Sequence, residues 1–421
     1  MQHWQGLIGV VVILALAVLV STNRSAIRPR IIISALALQA ALAALVLYVP
    51  AGRAALSAMS EGIQALINFS SAGIAMVFGP LATNVGFSFA INVLPIIIFF
   101  SALMSVLYHI GVMQPIVTWF GGALRFLLGT GRVESLTAAA NVFVGQTEAP
   151  LVVRPYLAHI TRPQLFAIMT TGMASVSGSV LAAYAQMGID INYLLAACFM
   201  SAPGGLLMAK IIMPDDKPPR PRKDEQGEEA APPADPTVQA ELAPVEETRH
   251  SNLVMAAASG AQDGLFLAAA IGAMLIAFVS LIALVNGGLT ALGGAIGVEG
   301  LTLQYLLGFV FAPVMWLLDI PWAEAQQAGG IFGEKLILNE FVAFLHLGQT
   351  AETLSPRTVA IVTFALCGFA NLSSIGILMA ALNTLVPERA PEMARYGLHV
   401  VAAGSLSNLM SAALASLFIA G

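Results

Sequence analysis

Charge is what this chain has least of. Asp, Glu, Lys and Arg make up 10% of its 421 residues, 23 acidic and 18 basic, for a formal net charge of −5. A soluble globular protein carries about a quarter charged residues. The shortage excludes a water-soluble domain, and the lack of a basic surface excludes a nucleic-acid binder. With 58% hydrophobic residues and a mean hydropathy of +0.85, a disordered chain is excluded as well. Cysteine is nearly missing. Cys198 and Cys367 sit in apolar stretches, offer neither a disulfide framework nor metal-ligand spacing, and read as buried thiols. There is no H-E-x-x-H, no phosphate-binding glycine loop and no Ser–His pairing at membrane depth, so the chain does not read as an enzyme. His109, His159 and His346 fall near span ends, where an interfacial position is the ordinary reading.

The few charges are bunched. Residues 214–250 hold 5 basic and 10 acidic residues and 8 of the 22 prolines, so the whole net charge belongs to this stretch. It reads as a solvated cytoplasmic linker. The rest is formally neutral and rich in apolar runs. A spanning helix needs about 20 apolar residues. Candidates are 4–21, 31–50, 86–112, 164–187, 191–213, 263–286, 358–384 and 395–420. The N-terminus lacks a basic n-region and a clear cleavage site, so residues 6–20 read as a first span rather than a removed signal. Segments 51–70 and 301–318 read as interfacial helices. The fold class is therefore an all-α polytopic membrane protein of about eight spans.

Two stretches, 133–160 and 323–349, are apolar but interrupted midway by polar residues. Each piece is about half a membrane thickness. That pattern predicts two re-entrant helical hairpins, whose non-helical tips are tolerated only where they line a cavity. The chain also repeats itself. Gly172–Ser177 (GMASVS) parallels Gly368–Ser373 (GFANLS), each behind an acidic hairpin and each followed by one more span. The units, roughly 132–213 and 323–421, are separated by the linker and one crossing. That arrangement is an inverted repeat with broken helices, as in secondary transporters. Arg24, Arg28, Arg30, Arg125, Arg132, Arg154, Arg162, the linker cations, Arg389 and Arg395 fall on one side if both termini face outward. Arg53, Lys335 and Arg357 are the minority on the other side.

An acid at membrane depth costs at least about 2.5–3.5 kcal/mol on insertion scales. Glu148 and Glu340, one in each hairpin, therefore need a function. Gln146 and Thr147 precede the first; Asn371, Ser373 and Ser374 break the helix behind the second. No Lys or Arg accompanies them, which argues against anionic solutes. A carboxylate that accepts two hydroxyl protons suits a vicinal diol, and an amide offers a donor and an acceptor to a polar heteroring. The predicted solute is neutral and hydroxylated.

The motifs that carry these residues are NVFVGQTEAP from Asn141 to Pro150, NEFVA from Asn339 to Ala343, and CGFANLSS from Cys367 to Ser374, with SAPGGL from Ser201 and SLSNLM from Ser405. In them the chain resembles the concentrative nucleoside transporter family, specifically its bacterial eight-span members. The resemblance implies that Gln146, Thr147, Glu148, Val180 and Phe369 meet the nucleobase. It implies that Glu340, Asn371 and Ser374 hold the ribose. Asn141 and Ser175, with the carbonyls of Val144 and Val176, would bind sodium as the coupling ion. It further implies a homotrimer in the bacterial inner membrane, working as an elevator on a nucleoside such as uridine. The division would be a scaffold of 1–131 and 251–322, and transport repeats of 132–213 and 323–421 about the linker 214–250. Phe344 stands where members often have Tyr, which leaves fine selectivity open. A proton-coupled nucleoside symporter is the alternative, since a buried carboxyl holds its proton tightly; a channel for a neutral polar solute is a further one.

Overall fold

Lipid offers the backbone no hydrogen-bond partner, so apolar runs of membrane length close their bonds internally as helices. The computed structural model describes residues 4–84, 88–215 and 251–419, and every regular element among them is helical. The linker read over 214–250 lies outside the described residues from 216 onward.

Helices α1 (Trp4–Leu19) and α2 (Pro29–Leu47) lead into α3 (Pro50–Phe78). A π-helical turn, Phe89–Val93, opens α4 (Leu94–His109), and α5 (Met113–Leu128) follows. The first repeat holds α6 (Arg132–Asn141), a 3-10 segment Ala149–Tyr156, α7 (Arg162–Ala174), α8 (Gly178–Gln186) and α9 (Ile191–Ile212). Next come α10 (Leu253–Ile296) and α11 (Leu303–Leu317). The second repeat holds α12 (Trp322–Ile337), α13 (Glu340–Thr350), α14 (Pro356–Leu366), α15 (Leu372–Leu385) and α16 (Ala390–Ser416). The two repeated motifs fall where the fourth and seventh spans break: α7 stops before Ser175, and α14 stops before Cys367. Both hairpins break at their polar tips.

Helices α7, α8 and α9 form the interior and are buried on nearly every face. Small residues permit this. A Cβ on Gly205 of α9 would lie 3.1 Å from Thr171 Cα on α7. α10 lies outside and packs along α4 by a small-residue stripe. A Cβ at Gly260 would stand 2.6 Å from Ser101 O, and one at Gly264 2.7 Å from Ile98 Cα. The opposite face of α10 presents Phe266, Ile276 and Leu284 outward.

Three features add to the sequence expectation. The span read over 263–286 belongs to a helix of 44 residues, about 66 Å at 1.5 Å per residue. Hydropathy measures the apolar window, whereas the helix runs from cap to cap. The Asn252 side chain accepts the Met255 N–H, and Gly297 ends the helix in the left-handed region at φ 75°. The return limb of hairpin one is 3-10 rather than α-helical, because Pro150 and Pro155 remove donors and Val153 leaves helical geometry. Residues 301–318, read as interfacial, form α11, which packs along α12 after a 118° bend. Asp319 makes that bend with φ 67° and pairs with Arg357.

Lys335 also corrects the charge reading. The sequence places it among the minority cations of one membrane side, but it is fully buried. It therefore leaves the orientation count. Arg357, mostly buried against Asp319, is no free surface charge either.

Candidate functional site

Each polar side chain at the site sits where a helix starts or stops. Glu340 is the first residue of α13, behind the cap Asn339, whose Oδ1 accepts the Val342 N–H at 3.0 Å. Asn371 caps α15 in the same way through the Ser374 N–H at 2.7 Å. The amide has a second task, since its Nδ2 donates to Glu340 Oε2 at 2.7 Å. Tyr184 Oη donates to the other carboxylate oxygen, Oε1, at 3.1 Å. Glu340 is 2% exposed, so these two donors and the positive end of α13 are its local compensation. Ser373 Oγ donates to Leu338 O at 3.0 Å, tying the break of α14–α15 to hairpin two.

Across from Glu340 lies the tip of hairpin one. Gln146 Nε2 donates to Ser374 O at 3.4 Å, while Gln146 Oε1 is buried without a partner. Between the two tips is a cavity of about 560 Å³, part of it open. Gln146, Thr147, Glu148, Val180, Phe369, Glu340 and Ser374 all line it. Leu267, Ile271 and Met274 of α10 form an apolar wall. Among the described residues no Lys or Arg lines this cavity, which fits an uncharged occupant.

Two expected residues stand differently from the sequence reading. Glu148 is exposed at the cavity, its Oε2 accepting the Gly145 N–H at 3.2 Å, so the two acids are not equivalent. Asn371 does not line the cavity; it stands behind Glu340 and is fully buried. Sequence reasoning missed Tyr184, although it lies one turn after Val180 on the same helix face. Its ring meets Phe341 edge-on at 4.9 Å and lies tilted against Phe344 at 4.3 Å, so Phe344 supports Tyr184. The α10 wall was missed because its residues are ordinary apolar positions of a span.

Three of the four residues assigned to the ion meet, Asn141, Ser175 and Val176. Asn141 ends α6 and Ser175 follows α7. Ser175 Oγ lies 3.3 Å from Asn141 O and 3.2 Å from Val176 O. One hydroxyl proton thus faces two carbonyl oxygens. All four residues are buried, and Asn141 Nδ2 has no hydrogen-bond partner. The donor set is neutral oxygen, as a hard monovalent cation prefers; no cluster of His, Cys, Asp or Glu that could hold a metal occurs among the described residues. The backbone joins this region to the cavity: Phe369 N–H donates to Ser175 O at 3.2 Å.

Comparison with known proteins places the chain in a family. Three family models match in succession: Na+ dependent nucleoside transporter N-terminus over residues 8–81, nucleoside recognition (Gate) over 90–190, and Na+ dependent nucleoside transporter C-terminus over 193–416. The nucleoside permease NupC of Helicobacter pylori is 47% identical over 98% of this chain and 97% of its own. The human sodium/nucleoside cotransporter 1 is 34% identical over 97% of this chain and 63% of its own. The solved structure of CNTnw in an inward-facing substrate-bound state superposes with a TM-score of 0.90 at 46% identity, covering 99% of this chain and 98% of the other.

Proposed function

We propose a function from one premise: the chain belongs to the concentrative, sodium-dependent nucleoside transporter family. It is a multi-pass membrane transporter of that family and not an enzyme. Our reading is sodium-coupled symport of a nucleoside such as uridine into the cell. The observation that carries it is the buried carboxylate of Glu340, oriented by Tyr184 and Asn371 toward a cavity whose far side is Gln146 and Thr147. Each carboxylate oxygen has two lone pairs. One is used on each, by Tyr184 and by Asn371. Capacity for one further bond remains on each oxygen, which suits the two hydroxyls of a ribose. At the other end, the unpartnered Gln146 Oε1 suits a base N–H, with Thr147 and Glu148 beside it and Val180 and Phe369 against the ring.

The coupling ion is read at Asn141, Val144, Ser175 and Val176. A cation there draws the Val144 carbonyl, just past α6, toward that of Val176 in the α7–α8 break. The Phe369 bond to Ser175 carries that order to the nucleobase wall. By linkage, the nucleoside raises ion affinity by the same factor. The lining of the cavity supports an elevator: every polar contact comes from the repeats, and α10 contributes only apolar side chains. Polar contacts then travel with the solute while an apolar wall slides past. The same reading includes a homotrimer in the bacterial inner membrane with both termini outside.

The test is uridine uptake into liposomes by Glu340→Gln. The neutral amide places a donor where the ribose hydroxyls need acceptors, and uptake is expected to be lost. Normal uptake by this variant would falsify the ribose assignment.

A further inference from the structure

Lys335 does not line the cavity just described, yet its side chain lies in the middle of the transport body, within electrostatic reach of the Glu340 carboxylate. It is fully buried in the last turn of α12. Its Nζ donates to Ala365 O at 2.8 Å, in the last turn of α14, and to Asn408 Oδ1 at 2.7 Å. The orientation of Asn408 is forced, because its Nδ2 donates to Ala174 O at 2.7 Å and Cys367 O at 2.9 Å. One amide therefore ties together the ends of α7 and α14, the two helices that break. Phe332 offers its ring at 5.7 Å from Nζ. Burying an ammonium is costly unless it is paired or bonded. Here the oxygens and the negative ends of two helices serve.

The counterpart in the first repeat is the proposed ion site. Asn141 ends the first limb of hairpin one and lies 31 residues before Gly172; Lys335 is near the end of the first limb of hairpin two, 33 residues before Gly368. Both face the break of the following helix. We infer that Lys335 is a built-in cation, occupying in the second repeat the place that the first repeat keeps for the mobile coupling ion. The inference rests on the sodium reading above. The second repeat carries its charge covalently, so the body moves with one exchangeable cation per nucleoside.

The test is uridine binding to the purified full chain as a function of sodium concentration. In the unaltered protein, affinity should rise with the first power of sodium. Lys335→Ala leaves the oxygens and a hole; affinity should fall at least about tenfold at low sodium and recover with a steeper dependence, toward the second power. Lys335→Met fills the hole without charge, so its affinity should stay low at every sodium concentration. Lys335→Gln keeps a donor without charge and should behave like Met. Wild-type affinity and slope in Lys335→Gln or Lys335→Met overturn the inference, since hydrogen bonding or packing alone then suffices. A second-power dependence in the unaltered protein overturns it without any variant, so the proposal stays testable if the variants do not fold. No sodium dependence in the unaltered protein refutes the underlying sodium reading instead.

Discussion

Replacing Asn371 by Ala separates two things that its amide does at once. It removes the cap on α15, the Ser374 N–H contact at 2.7 Å, worth about 1 kcal/mol of stability. It also removes the Nδ2 donation to Glu340 Oε2 at 2.7 Å. A hydrogen bond to a charged group is worth about 1.5–3 kcal/mol. Without it, a buried carboxylate loses one of its two holders and no longer points its free lone pairs at the cavity. If that whole amount is felt in binding, uridine affinity falls by roughly 10- to 150-fold. Asn371→Ser isolates the second effect. Its hydroxyl still caps the helix but is too short to replace the amide donor. The expected pattern is a lowered melting temperature for both, lower still for Asn371→Ala by the lost cap, and weakened uridine binding for both. Calorimetric titration of purified protein reads the affinity, and thermal unfolding in detergent reads the cap. If Asn371→Ser binds uridine as tightly as the unaltered protein, Asn371 does not orient Glu340 for the solute, and the reasoning is wrong.

Further predictions concern the ion and the frame. Ser175→Ala deletes the hydroxyl between Asn141 O and Val176 O. The sodium concentration for half-maximal uridine uptake should rise about tenfold, the equivalent of about 1.4 kcal/mol, and an unchanged sodium curve would remove Ser175 from the ion site. In α10, Gly264→Ala puts a Cβ 2.7 Å from Ile98 Cα, while Gly287 has nothing within 4 Å. The first change should cost about 1–3 kcal/mol as overpacking, and Gly287→Ala on the same helix should cost nothing. Equal melting temperatures for the two variants would contradict the close α4–α10 seam.

How much of this was legible in the sequence depended on the range of the interactions. The spans were legible because lipid demands apolar length, and the hairpin tips because Glu148 and Glu340 interrupt apolar runs. The breaks at Ser175–Ser177 and Cys367–Asn371 were legible from the repeated motif and its polar residues. Tyr184 was not, because its role depends on a partner 156 residues away, and a lone Tyr in a span has an ordinary packing explanation. Lys335 was misplaced for a related reason. A cation in an apolar stretch normally marks a membrane edge, but this one is satisfied by Asn408, 73 residues on. The length of α10 was hidden because hydropathy has no sense of Asn252 and Gly297, the residues that end the helix. Glu148 and Glu340 look alike in sequence; they differ in exposure because Glu340 is the buried first residue of α13, whereas Glu148 precedes the 3-10 limb and stands exposed in the cavity.

The central claim is that a sodium gradient drives a neutral nucleoside through the cavity between the hairpins. It is tested most directly by labelled uridine uptake into liposomes holding the full chain, with an inward gradient of sodium, of protons, or of neither. The account predicts accumulation above the external concentration with the sodium gradient alone, and its collapse when sodium is equal on both sides. Accumulation that follows the proton gradient and ignores sodium would contradict it.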